Sequence, residues 1–183
     1  SVTIEVHSQV PQGSGLGGSS SLLVAILFAL ECAFPTGIHL NQLAARAQNL
    51  ETAVLGGLAG NQDHLAAAFG GLQKIVQTCD GPKAMALPFA GHTQPLQTLS
   101  DHLVLAYSQQ AHHSIVQNES VVEKVFRKDF TTMVCLKDIA LLSLQLEEVF
   151  KKPFHAKNFA TILSNEWHLR QQLASGIGTP TLT

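Results

Sequence analysis

The chain has 183 residues, 45% of them hydrophobic and 13% charged, and a formal net charge of −2. That balance provides ample apolar material for a core and too few charges for a disordered chain. It also argues against a basic surface for nucleic acid or an anionic membrane, leaving small molecules as the expected partners.

The length suits one domain, or a small domain with part of a second. Cys32, Cys79 and Cys135 are odd in number and widely spaced. They do not read as a disulfide framework, so a reduced, cytoplasmic setting is expected.

Val2, Ile4 and Val6 alternate with Thr3, Glu5 and His7, the period-two pattern of a half-buried strand. No basic segment of a signal peptide precedes it, and a strand so near the start suggests a chain that begins inside a larger fold. The run Pro11-Gln12-Gly13-Ser14-Gly15-Leu16-Gly17-Gly18-Ser19-Ser20-Ser21 follows. Glycines allow positive φ and close approach of backbone to a ligand. Successive N–H groups can then form an anion nest, completed by the unpaired amides of a helix start. The serine hydroxyls can bond phosphate oxygens or Mg²⁺.

Gly13-x-Gly15-x-x-Gly18 also satisfies the dinucleotide-binding fingerprint. The acidic residue which that fold wants about 20 positions later is missing from 35–41, so an NAD-linked oxidoreductase is a distant alternative. A phosphate loop of the Gly-Lys-Ser/Thr type is absent, since no lysine precedes Lys74.

Ser19 to Ala33 reads as a buried helix, ended by Pro35 and Gly37. Its apolar run is too short to span a bilayer and contains Glu31. A second helix is expected from Leu40 to about Val54, and a third from Asn61 to about Phe69. Glu51 and Asp63 flank the glycine break between them in almost wholly apolar or small surroundings. A buried carboxylate needs a partner, and a divalent metal on nucleotide phosphates would be one. Asp63, at a helix start, could orient or deprotonate a hydroxyl attacking a phosphoryl group.

Leu72–Thr78 and Lys83–Phe89 read as a hairpin around Asp80-Gly81, and Leu103–Tyr107 as another strand. From Ser114 to about Leu173 the pattern is helical, with interruptions near Lys128 and at Pro153. Glu123 with Arg127, Glu147 with Lys151 and Glu148 with Lys152 have the i,i+4 spacing of solvated helix faces. His64 reads as a helix-surface residue and Trp167 as a packing aromatic. Nine histidines without HExxH or a Cys/His ladder do not suggest zinc. Strands and helices mixed without strict alternation indicate an α+β fold.

The loop and the segment Gly60-Asn61-Gln62-Asp63-His64-Leu65-Ala66-Ala67-Ala68-Phe69-Gly70-Gly71 together resemble the GHMP kinase family, in the branch of heptose 7-phosphate kinases and L-fucokinases. Asp101–Tyr107, Trp167 and Gly176-Ile177-Gly178-Thr179-Pro180 are weaker echoes of that branch. The resemblance implies that Pro11, Gly13, Ser14, Gly15, Leu16, Gly17, Gly18, Ser19 and Ser20 bind ATP. It further implies that Ser19 and Glu51 hold Mg²⁺ and that Asp63 is catalytic.

The implied fold is a unit like domain 2 of ribosomal protein S5 at 1–100, the ATP-binding domain. A ferredoxin-like, helix-rich C-terminal domain follows at 101–183, both expected to be partial. The implied reaction is phosphorylation of a sugar or sugar phosphate. Gly18 stands where the family has a serine, and Tyr107-Ser108-Gln109-Gln110-Ala111-His112 lacks the arginine of that branch. The family's N-terminal substrate motif and C-terminal glycine motif are not found. A fragment or a catalytically incomplete nucleotide-binding module is therefore the alternative, and an exposed strand edge could promote a homodimer.

Overall fold

A computed structural model describes residues 2–87, 95–107, 114–174 and 176–177. Among them are seven helices and one two-stranded antiparallel sheet, a helix-rich α+β arrangement. No helix among these residues is long and apolar enough to cross a membrane.

Helix α1, Gly18–Ala33, starts where Gly17 adopts the left-handed conformation. It is followed by α2, Leu40–Leu55, and α3, Gln62–Phe69. The link from α1 to α2 is tied by Glu31, whose carboxylate accepts from the Thr36 hydroxyl and from the amides of Thr36, Gly37 and Ile38. These bonds, the Thr36 hydroxyl foremost, hold the Glu31 carboxyl below its ordinary range. Gly56, at positive φ, ends α2 by donating its N–H to Thr52.

The three helices meet on a small core. Val24, Leu43 and Ala47 are buried there, with Leu23, Leu27, Ile38 and Ala68 packed around them. The apolar residues of α2 recur at the helical repeat, with Leu43, Ala44 and Ala47 all buried, so one stripe of that helix faces α1 and α3.

Strands β1, Gln73–Thr78, and β2, Gly81–Ala86, form the expected hairpin, with Thr78 paired to Gly81. The turn residues are thus Cys79 and Asp80 rather than Asp80-Gly81. Gly81, at φ 104, is already the first paired residue. The amide of Leu87 adds one more bond, to Leu72, and the expected strand end at Phe89 lies outside the described residues.

Two expected strands do not form. Val2, Ile4 and Val6 are all exposed, and residues 2–9 have no regular structure. Leu103–Tyr107 is likewise irregular, with Val104 94% exposed. Alternation alone makes no strand, because a strand needs a neighbour for its ladder hydrogen bonds, and the sheet found among the described residues contains only β1 and β2.

A short helix α4, Pro95–Ser100, was not indicated by the sequence pattern. Then come α5, Ser114–Phe126, α6, Phe130–Phe150, and α7, Ala156–Leu173. The break after α5 falls at Lys128, which has a positive φ of 57°. Asp129 then caps α6 by accepting from the Thr132 amide at 2.8 Å. Pro153 lies in the α6–α7 turn, where the rings of Phe150, Phe154 and Phe159 gather with centroids 5.7 to 6.5 Å apart. Trp167 sits half-buried on α7, in keeping with a packing role.

Candidate active site

Gly13, Gly15 and Gly17 have φ values of 71°, 73° and 66°, while Ser14 and Leu16 between them do not adopt positive φ. This alternation of backbone hand is the pattern that turns successive N–H groups to one side. A turn bond from Ser14 N to Pro11 O, 3.2 Å, closes the start of the loop. At its end α1 begins, and the first amides of a helix have no acceptor within it. Pro11, Leu16 and Ser19 are exposed, and Gly13, Ser14, Gly17 and Gly18 half-buried, so the loop's outer face is open to solvent.

The loop meets the third helix. A Cβ placed on Gly17 would lie 3.3 Å from both Cβ and Cγ of Asp63 and 3.4 Å from its Oδ2. Asp63 stands in the first turn of α3 and is exposed. Residues 46 positions apart by their numbers are thereby brought side by side.

Behind this edge lies a buried polar cluster. Glu51, 5% exposed, accepts from the Ser19 hydroxyl at one oxygen and from the Ser20 hydroxyl at the other, 2.8 Å away. His64, 1% exposed, places Nε2 2.8 Å from Glu51 Oε2 and Nδ1 3.1 Å from the Gly60 carbonyl. The Nε2 contact has the distance of an ion pair but lies off the line of a directed hydrogen bond. His64 is therefore not the helix-surface residue its sequence context suggests. One helical turn sends Asp63 outward and His64 inward, a rotation that the short apolar segment around them leaves undefined.

Ser19 and Glu51 are thus brought together as expected, while Ser20 turns its hydroxyl to Glu51. A separate cavity of about 410 Å³, lined by Thr36, Gly37, Ile38, Gln42, Ala45, Arg46 and Asn49, contains neither the loop nor the two carboxylates. An anion cradle built from backbone amides needs no deep pocket, so the loop edge remains the better candidate. The segment 108–112, where the arginine is absent, and Gly178-Thr179-Pro180 lie outside the described residues.

Residues 1–71 match the family described as the GHMP kinases N terminal domain. A curated relative, D-glycero-alpha-D-manno-heptose 7-phosphate kinase of Campylobacter jejuni subsp. jejuni serotype O:2, is 30% identical over 158 residues, covering 73% of this chain and 46% of the relative. The chain spans about half the length of that curated relative. The resemblance read from the glycine loop and the Gln62-Asp63 segment is borne out, and residues 1–71 carry the N-terminal domain of the GHMP kinases.

Proposed function

We propose that the chain is the nucleotide-binding part of a kinase that transfers a phosphoryl group from ATP to a hydroxyl of a sugar or sugar phosphate. The substrate class follows the printed name of the relative, a heptose 7-phosphate kinase. The observation that carries this reading is the approach of Asp63 to Gly17, which sets an exposed carboxylate against the loop.

In this reading the amides of Gly13 to Ser20, with Pro11 at the loop's entry, bind the triphosphate, and the N-terminus of α1 adds favourable charge. Asp63 orients the acceptor hydroxyl and takes its proton as the oxygen bonds to the γ-phosphorus. The bond from that phosphorus to the bridging oxygen breaks, and ADP leaves. A hydroxyl and a carboxylate in contact are the hard oxygen donors that Mg²⁺ takes, so Ser19 and Glu51 suit it. Bound there, the ion would supply neutralisation of phosphate charge.

The division into an ATP-binding domain at 1–100 and a C-terminal domain at 101–183 belongs to the same proposal. The three free thiols support a cytoplasmic setting.

Asp63→Asn tests the reading. It is expected to keep ATP binding, measured by calorimetry, and to lose about 10²–10⁴ in turnover. The assay is run on the chain and on a form extended at both ends to the relative's length. Unchanged turnover in Asp63→Asn removes Asp63 from the mechanism. ATP binding with no turnover in either form, over a panel of sugars and sugar phosphates, favours a nucleotide-binding module instead.

A further inference from the structure

The buried imidazole of His64 is unused by the reaction proposed above, yet it has the most constrained surroundings of any histidine described. It is 1% exposed and makes two opposed polar contacts, Nδ1 with the Gly60 carbonyl and Nε2 with the Glu51 carboxylate. A carbonyl oxygen only accepts, so Nδ1 carries a proton. Nε2 stands 2.8 Å from a Glu51 carboxylate oxygen, a contact at ion-pair distance. Burying a histidine and a glutamate together is costly, and a core built for stability alone would do as well with apolar groups of similar volume. The placement suggests that something is being held in position.

What is held is visible in the partners. Gly60 precedes Asn61, the cap position ahead of α3, and Asp63 occupies the first turn of that helix. Glu51, near the end of α2, reaches the two serines at the start of α1. His64 thus touches both the carboxylate behind the loop and the backbone leading into the helix that bears Asp63.

We propose that His64 is a positioning residue that aims the Glu51 carboxylate at Ser19 and so sets the geometry of the divalent-cation site. The proposal rests on reading Ser19 and Glu51 as the donors to that cation. Partners that orient a metal ligand from behind commonly cost about 10–100-fold in metal affinity when removed.

Two substitutions separate the contacts. In His64→Gln the side-chain amide reaches the place of Nε2 and keeps a polar contact with Glu51. In His64→Asn it reaches only the place of Nδ1 and keeps the bond to Gly60. Binding of Mn²⁺ alone to the full chain is followed by electron paramagnetic resonance, with circular dichroism confirming the helices. His64→Gln is expected to stay within about threefold of the unsubstituted chain and His64→Asn to bind about tenfold or more weakly. Equal losses in the two variants, or wild-type affinity in His64→Asn, would overturn the proposal.

A urea double-mutant cycle of His64→Asn with Glu51→Gln reads the same link without metal. Coupling of about tenfold or more in the unfolding equilibrium is expected, and additive effects overturn the proposal. If Mn²⁺ fails to bind the unsubstituted chain while the cycle shows coupling, the cation reading of Ser19 and Glu51 fails, and His64 keeps only its hold on Glu51.

Discussion

At Gly17 a missing methyl group decides where Asp63 can stand. The residue has φ 66°, a conformation that costs an L-residue roughly 1–2 kcal/mol. Its Cα side also faces Asp63 closely, with 3.3 Å left for a Cβ, so an added methyl group would make the Asp63 side chain give way by a few tenths of an ångström. Gly17→Ala is therefore expected to lower stability by about 1–2 kcal/mol. It should also shift the carboxylate and lower turnover, by less than the roughly 10²-fold that a full ångström's misplacement costs. Thermal melts and steady-state rates check the two effects separately, and a stable variant with full activity would show that the approach is incidental. Gly15, by contrast, has open space where its Cβ would be, so only its φ of 73° demands glycine.

Among the elements, the link between the hairpin and the helices beyond it was hidden in the sequence. Glu147, read there as one member of an i,i+4 pair on a solvated face, bonds to Lys74 of β1 at 2.6 Å as well as to Lys151 at 3.1 Å. Lys151 in turn reaches Glu148 at 2.8 Å, a spacing of three rather than the expected pairing of Glu148 with Lys152. Arg127 with Glu123 does form the surface pair its spacing indicates.

The hydrogen bond from Lys74, then that from Lys151, holds the Glu147 carboxyl below its ordinary value of 4.5. A depressed acid contributes stability that is full above the unfolded value and is lost as pH falls through the folded one. Lys74→Met should thus melt at a lower temperature than the unsubstituted chain at neutral pH. The difference should shrink as pH drops below 4.5 and vanish once Glu147 is protonated in the folded state. A gap that stays constant over that range would assign the loss to packing by the lysine stem.

On the scale of the whole molecule, the buried apolar residues among the described ones are few and lie in separate places. One group joins α1, α2 and α3 through Val24, Leu43 and Ala47, while Cys135 and Phe150 are buried at separate places along α6 and Leu173 at the end of α7. The first lies directly behind the loop and Glu51, so its integrity governs the site. Leu43, 2% exposed, fills its centre, and Leu43→Ala is expected to cost about 2–5 kcal/mol in urea unfolding. A cost well under that range would mean that the neighbouring helices close the cavity.

The sequence alone determined the local features of this protein. Helices α1, α2 and α3 and the breaks at Lys128 and Pro153 were legible, because periodicity, glycine and proline act over a few residues. The glycine loop at 13–17 was legible for the same reason, since three glycines supply its three positive φ angles. Tertiary structure decided how groups meet. Ser19 and Glu51, paired beforehand only through the family resemblance, meet directly across 32 positions, and Lys74 finds Glu147 across 73 with no local signal for it. Whether His64 faces inward, or Val2–Val6 pairs as a strand, depends on the rotation of a helix and the presence of a neighbour, and neither is encoded in a local repeat.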